Sequence, residues 1–276
     1  MTFNSNGKFV GAIPYIYEEY LVPLIFEDYA DYLVNRVDVP ADGAILETAA
    51  GTGVVTRRLR EQLPSTVSIA ATDLNPDMLD VAPGTLDTTE NVDFHVANAE
   101  DLPYEDNTFD AVVCQFGVMF FPDKQKSYRE AARVLKPGGR FIFNLWNSLE
   151  RNPFAKLVHE TVLELTPEDP ADFLATPFQD WDLSEIRAHL KAAGFEDVST
   201  SVLSKRCTAS SAKNVALGYT SGSPLATQLE QRGITATALS AVLDALIAEY
   251  GEGAVEAPMQ AVTVSAKRAR RKRFVC

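Results

Sequence analysis

One short segment gathers residues able to hold a nucleoside: Ile45-Leu46-Glu47-Thr48-Ala49-Ala50-Gly51-Thr52-Gly53. An apolar run enters small residues and then a helical pattern. Small side chains admit a ligand close to the backbone, and a helix N-terminus presents unpaired N–H groups. Asp73 closes the next apolar run, 22 residues after Gly51, where a carboxylate can accept both hydroxyls of a ribose. Together these residues point to a nucleoside cofactor at the carboxyl ends of strands. The dinucleotide pattern G-x-G-x-x-G is not met. From Gly51 the chain reads Gly-Thr-Gly-Val-Val-Thr, with Thr56 where the third glycine belongs, and a reading from Ala49 lacks the first glycine. A pyrophosphate-bearing cofactor such as NAD, and an oxidoreductase with it, is disfavoured.

The elements that position these residues alternate in type. Candidate strands are Ala44 to Thr48, Val67 to Thr72, Val92 to Ala97, Phe109 to Cys114 and Arg140 to Leu145. Helical patterns run from the glycine loop to Pro64, from an Asn75 N-cap with Pro76 in the first turn, and from Asp123 to Leu135, stopped by Lys136-Pro137-Gly138-Gly139. Strands alternating with helices imply an α/β fold with a mostly parallel sheet and helices on both faces. Tyr15 to Arg36 carries aromatic and apolar residues at helical spacing. The second half differs. A helix is expected around Phe154 to Leu165, another from Asp182 to Ala193 closed by Gly194, strands at Val198 to Ser204 and Ala261 to Ser265, and helices from 209 to 257 broken at Ser221-Gly222-Ser223-Pro224.

Of the 276 residues 46% are apolar, enough to bury a sizeable core. No run has the roughly 18 uncharged apolar residues of a membrane span, and Met1 to Lys8 lacks a signal-peptide pattern. Cys114, Cys207 and Cys276 match no metal-ligand spacing, and three thiols this far apart read as reduced in a cytoplasmic protein. The net charge is -13; setting aside the six cations among Lys267 to Arg273 leaves -19. So negative a body disfavours nucleic acid as partner. The basic tail, 266–276, reads as a solvated terminus, with an acidic-partner or nucleic-acid contact as the alternative.

Several motifs in one order resemble the class I S-adenosylmethionine (SAM)-dependent methyltransferases. The segment 45–53 is similar to that family's first motif, an acidic residue followed by G-x-G-x-G. Thr72-Asp73-Leu74-Asn75-Pro76-Asp77-Met78-Leu79 is similar to the second. Asn98-Ala99-Glu100-Asp101-Leu102-Pro103-Tyr104 with Asn107-Thr108-Phe109-Asp110, and Arg133-Val134-Leu135-Lys136-Pro137-Gly138-Gly139, resemble later ones, and Ala192-Ala193-Gly194-Phe195 a last landmark. The look is that of the UbiE-like branch, which acts mainly on small molecules. The resemblance implies a Rossmann-like core with a seven-stranded sheet, SAM as cofactor and a small-molecule acceptor. Ala49 departs from the pattern's first glycine and adds a methyl where the methionine part of SAM would pass. Glu47 stands for the commoner aspartate, as does Asn98.

The same resemblance assigns roles. Glu47 would reach the amino end of the methionine moiety, with Ala49, Gly51 and Gly53 giving the backbone close approach. Asp73 would hold the ribose. Leu74 and Met78 would pack on adenine, and Asn98, Ala99 and Glu100 would meet its edge. Gln115 and Phe116 would lie near the methionine moiety, and Tyr17 would close over its carboxylate. Each has a plainer alternative: a turn or cap role for Glu47, Asp73, Asn98 and Gln115, and core packing for Met78, Phe116 and Tyr17. The resemblance also implies one methyltransferase domain spanning 1–276, with a SAM-binding core at 41–146. Segments 1–40, 147–180 and 209–257 would form its cover.

Methyl transfer from a sulfonium needs alignment above all, and a hydroxyl or amine acceptor also needs a base. Of the three histidines, His95 and His189 read as structural or surface groups, and His159, in the first insertion, as a packing residue with a base as the alternative. No catalytic residue and no metal constellation stands out. Trp146, Phe154, Phe173, Phe178 and Trp181 supply aromatic surface for either a core or an apolar acceptor pocket. A non-catalytic SAM-binding module is the remaining alternative. Nothing in the sequence fixes the acceptor or the oligomeric state.

Overall fold

A computed structural model of the chain describes residues 9–270. Met1 to Lys8, Cys276 and the last part of the basic tail lie outside the described residues. The chain opens on α1 (Ile13–Ile16), a π-helical stretch (Tyr17–Phe26) and α2 (Glu27–Val34). Strands β1 (Ala44–Thr48), β2 (Ser68–Asp73), β3 (Val92–Val96), β4 (Phe109–Gln115) and β5 (Leu135–Trp146) then alternate with α3 (Val54–Gln62), α4 (Pro76–Val81) and α5 (Lys124–Val134). The remaining elements are α6 (Pro153–Leu165), α7 (Leu183–Ala192), β6 (Phe195–Ala209), α8 (Ala212–Ser221), α9 (Leu225–Gln231), α10 (Thr235–Tyr250) and β7 (Val255–Arg268).

The seven strands make one sheet in the order β3-β2-β1-β4-β5-β7-β6. The first five pair in parallel. Thr263 bonds Asn144 and Gln260 bonds Asn147, so β7 runs against β5. Ser199 meets Ser265 and Cys207 meets Ala257, so it also runs against β6. The strand ends of β1, β2 and β4 therefore share one edge of the sheet, where a ligand binds in open parallel sheets.

The expected α/β pattern of the first half holds, with instructive differences. Lys136-Pro137-Gly138-Gly139 does not end the strand-bearing helix in a free loop. It lies inside β5 as an irregularity, between the pairs Phe109–Leu135 and Ala111–Arg140. Gly138 takes φ 91°, and a side chain at Gly139 would sit 2.7 Å from the Asp110 carbonyl, so both positions need glycine. β6 and β7 extend well beyond Val198 to Ser204 and Ala261 to Ser265, because pairing carries strands past their apolar centres. Lys267 and Arg268, read as the start of a solvated tail, belong to β7, and Ala269 N–H bonds the Gly194 carbonyl. Asn75 precedes Pro76 as expected but makes no side-chain cap; its amide turns back to Asp73. The N-terminal helix is not one α-helix: Pro23, which lacks an N–H, sits in the π-helical stretch.

The described chain divides into two compact units. One comprises residues up to Asp28, Trp146–Trp181 and Leu203–Ala261. Within it α8 packs on the π-helical stretch and α10 on α6 and α8. Close approach requires Gly222, where a side chain would lie 3.1 Å from the Tyr17 nitrogen. Rings fill its interior: Trp146 stacks on Phe178 at 5.6 Å and Phe154 meets Tyr250 edge-on at 4.9 Å. Trp146, Phe154, Phe173 and Phe178 are all buried, and Trp181 donates to the Trp146 carbonyl. The second unit comprises Tyr29–Leu145, Asp182–Val202 and residues from Val262 on. Its core gathers Tyr128, Phe141, Phe143 and Phe195.

Candidate functional site

The site lies within the second unit, at the ends of β1, β2 and β4. The loop after β1 turns sharply: Ala49, Gly51 and Gly53 take φ of 54°, 58° and 84°. An alanine with positive φ costs roughly 1–2 kcal/mol. Its methyl occupies space left open by a glycine across the site: a side chain at Gly117 would lie 2.4 Å from the Ala49 Cβ and 2.8 Å from the Cys114 Sγ. The alanine anticipated as a burden on the methionine site is thus received by Gly117. Phe116, beside it, also has positive φ and packs edge-on against Tyr29 at 5.5 Å. A side chain at Gly51 would lie 3.2 Å from the Met78 methyl.

Two buried carboxylates hold the loop. Asp73 Oδ2 accepts the Gly51 N–H at 2.9 Å, and Oδ1 accepts the Asn75 backbone N–H at 2.8 Å and its side-chain amide at 3.2 Å. Burial pushes the Asp73 carboxyl up, and these N–H donors oppose the shift. Glu47 is sealed at 1% exposure and accepts the Thr56 hydroxyl at 2.5 Å. Burial pushes it up to about 8, against the Thr56 hydrogen bond and with the neighbouring Asp73 charge adding to the rise. Glu47 thus keeps its proton through neutral pH, while the N–H donors around Asp73 favour its charged form.

The other anticipated residues fall in several settings. Leu74 is half exposed at the end of β2 and Met78 is buried on α4. Asn98 Oδ1 caps its own turn by accepting the Glu100 N–H at 2.9 Å. Ala99 is partly exposed, and Glu100 accepts the Asp123 N–H at 2.7 Å, at the start of α5. Gln115 is buried and accepts from Asn144, whose own oxygen accepts from Thr263 at 2.9 Å. The structure thus brings Glu47, Ala49, Gly51, Gly53, Asp73, Met78, Gln115 and Phe116 together. Tyr17 belongs to the other unit, tilted against Phe26 at 4.9 Å and edge-on to Phe9 at 5.7 Å. His95 is exposed on β3, and His189 bonds Gln125 at 3.0 Å. His159 is half-buried on α6; its Nδ1 has no hydrogen-bond partner, and burial pushes its pKa down.

Sequence reasoning missed five supporting residues. Thr56, the residue that spoils the dinucleotide pattern, holds Glu47. Gly117 receives Ala49. Asn144 and Thr263 extend the polar line from Gln115. Arg133 donates to the Leu102 and Tyr104 carbonyls and pairs with Glu130 at 2.8 Å. Only Thr56 carried a signal, a hydroxyl standing where the dinucleotide pattern calls for glycine, nine residues after the acid it holds. Among the described residues no cluster of His, Cys, Asp and Glu could hold a metal.

Residues 46–143 match the family described as "Methyltransferase domain". The ubiquinone/menaquinone biosynthesis C-methyltransferase UbiE of Rickettsia felis is 32% identical over 180 residues, covering 58% of this chain and 71% of that one. The chain belongs to the class I SAM-dependent methyltransferases, in their UbiE-like branch. UbiE of Geotalea daltonii is 30% identical over 139 residues, 49% of this chain and 59% of its own. UbiE of Brucella abortus is 33% identical over 170 residues, 56% and 62%. The chain thus spans less than two thirds of these two relatives. Solved structures share the fold. Haemonchus contortus phosphoethanolamine N-methyltransferase 2, in complex with phosphomonomethylethanolamine and S-adenosylhomocysteine, aligns with TM-score 0.60 at 15% identity, covering 93% of this chain and 57% of that one. The YcgJ protein of Bacillus subtilis aligns at 0.56 and 20%, covering 88% and 99%.

Proposed function

We propose that this protein transfers a methyl group from SAM to a small-molecule acceptor. The observation that carries this is the Asp73 carboxylate at the end of β2, fixed by the Gly51 and Asn75 N–H groups with acceptor capacity remaining for a ribose hydroxyl. The donor set fits the cofactor: one carboxylate for the ribose, a second at Glu47 for an ammonium, and a loop that Gly51 and Gly53 leave open to close approach. When bound, SAM supplies an activated methyl group whose bond to sulfur breaks with the electron pair staying on sulfur.

The chain's own residues then bind and orient. Asp73 holds the ribose, Leu74 and Met78 flank adenine, and Ala99 N–H, Asn98 and Glu100 line its edge. Asn98 has its oxygen engaged, so its amide N–H is the group left to donate. Gln115 and Phe116 border the methionine moiety. Glu47 would face the ammonium of the methionine moiety as a carboxylate, its proton passing to water on binding. Residues 41–146 form the cofactor-binding core of one methyltransferase domain, and segments 1–40, 147–180 and 209–257 its cover. Burial of Trp146, Phe154, Phe173 and Phe178 makes them the cover's core rather than an acceptor pocket. Cys114 and Cys207 are free and buried, and no described helix is long and apolar enough to cross a membrane, which supports a cytoplasmic site of action.

The test is calorimetric titration with SAM, S-adenosylhomocysteine and NAD, beside Asp73→Ala, followed by methyl transfer from labelled SAM to a panel of small phenols, amines and activated carbon acids. Binding of both adenosyl compounds but not NAD, lost in Asp73→Ala, with label in an acceptor, is the expected result. Binding of NAD alone would overturn the reading. Adenosyl binding without turnover on any acceptor would leave a binding module.

A further inference from the structure

Thr56 is the third residue of α3 and is fully buried. In a dinucleotide site a glycine stands there and lets helix and strand pack closely. Here a side chain fits, and its hydroxyl is spent on one partner, donating to Glu47 Oε2 at 2.5 Å. Valine has nearly the same shape and no polar atom to satisfy, so packing alone does not call for threonine. Among the described residues no other group donates to the Glu47 side chain. Arg60, one turn further along α3, turns instead to the Val67, Leu63 and Pro64 carbonyls. Asp73, at the end of β2, opposes a second negative charge, and burial pushes the Cys114 thiol on β4 up to about 12, so it stays neutral. The Thr56 hydroxyl is therefore the group that favours a Glu47 carboxylate against its burial.

We propose, resting on the SAM reading of this site, that Thr56 is a positioning residue for the amino end of the cofactor. It holds Glu47 by Oε2, leaves Oε1 for an ammonium, and so makes the site select ligands that carry an α-amino group. A carboxylate held in place gives an ammonium a charge-assisted hydrogen bond, which a neutral acid cannot. Without the hydroxyl, burial acts on Glu47 with nothing to offset it. The carboxyl then keeps its proton and loses its fixed orientation. Neither the adenosine part nor the carboxylate of the ligand depends on Glu47, so a ligand lacking the amino group is indifferent to Thr56.

The experiment is calorimetric titration of the full chain at neutral pH with two probes. One is S-adenosylhomocysteine. The other is its des-amino analogue, which keeps the carboxylate and lacks the ammonium. Wild type is compared with Thr56→Val and Thr56→Ser, with circular dichroism confirming the fold of each. The wild type is expected to prefer S-adenosylhomocysteine by about tenfold or more, as befits a hydrogen bond to a charged group. Thr56→Val is expected to bind S-adenosylhomocysteine about tenfold more weakly and the analogue within about threefold of wild type, so that the preference collapses. Thr56→Ser, which keeps the hydroxyl, is expected to retain the preference. A valine variant that keeps it, a loss of both ligands in equal proportion, or a serine variant that behaves like valine would each overturn the proposal. A wild type that binds both probes equally overturns this proposal and leaves the methyltransferase reading standing; a wild type that binds neither overturns both.

Discussion

The ends of β1 and β2 and the interior around α6 both bury large polar or aromatic groups, yet the burial differs in kind. Around α6 the groups are rings, and a ring asks only for volume: Phe154 meets Tyr250, and Trp146 meets Phe178. At the strand ends the groups are carboxylates, and each needs named donors: Thr56 for Glu47, and Gly51 with Asn75 for Asp73. Packing of the first kind stabilises and tolerates change of shape. Satisfaction of the second kind is costly to lose and leaves charge where a ligand can use it.

If the contrast is right, Phe154→Ala lowers unfolding stability by about 3–5 kcal/mol through cavity formation. The affinity for S-adenosylhomocysteine stays within about threefold, an amount worth under 1 kcal/mol. Chemical denaturation and titration on the same sample check both, and a large loss of affinity would break the distinction. Asp73→Asn is the converse. It keeps the volume, and it is expected to weaken S-adenosylhomocysteine by about 10–100-fold, as hydrogen bonds to a charged acceptor contribute about 1.5–3 kcal/mol.

Gly117→Ala tests the interlock across the site. The added methyl meets Ala49 Cβ and Cys114 Sγ, so a loss of about 1–3 kcal/mol is expected from overpacking. Adding Ala49→Gly to it recovers part of that loss, read as a shift in denaturant midpoint. A double variant no better than the single one would show that the two positions act separately.

A further effect is in pH. Glu47 holds its proton to about 8 in the folded chain, against 4.5 ordinarily. Between those values the folded chain binds more protons than the unfolded one, so stability falls as pH rises. Asp73, also raised, contributes with the same sign. Glu47→Gln should therefore flatten, without abolishing, the decline in melting temperature from acid to neutral pH. An unchanged slope would mean that Glu47 is ionised in the free protein.

The first half of the fold was legible because its signals are local: an apolar run, a glycine loop, a capping residue. Asp123 caps α5 and Asp182 caps α7 as their types suggest. Asp73 was legible through its spacing from Gly51, and Glu47 through the resemblance of its segment to the family's first motif. Their partners were not. Thr56, Gly117, Asn144 and Thr263 matter through contacts across strands, which no local pattern encodes. Pro23 was visible, but the π-helical stretch around it depends on α8, whose Gly218 and Gly222 let the two backbones approach. β6 and β7 were read short because their polar ends owe their strand form to a neighbour.

The residues from Asn98 to Asp106 are tied to α5 and its cap by five hydrogen bonds. Glu100 accepts from Asp123, Leu102 donates to Glu130, and Arg133 gathers the Leu102 and Tyr104 carbonyls with the Asp106 carboxylate. Arg268 donates in turn to the Arg133 carbonyl and to Asn107, bringing the end of β7 into the same knot. On the proposed reading, an arriving nucleoside meets this wall already built. Any slow phase in its association traces to another part of the chain, and the wall itself adds little to the ordering entropy of the encounter.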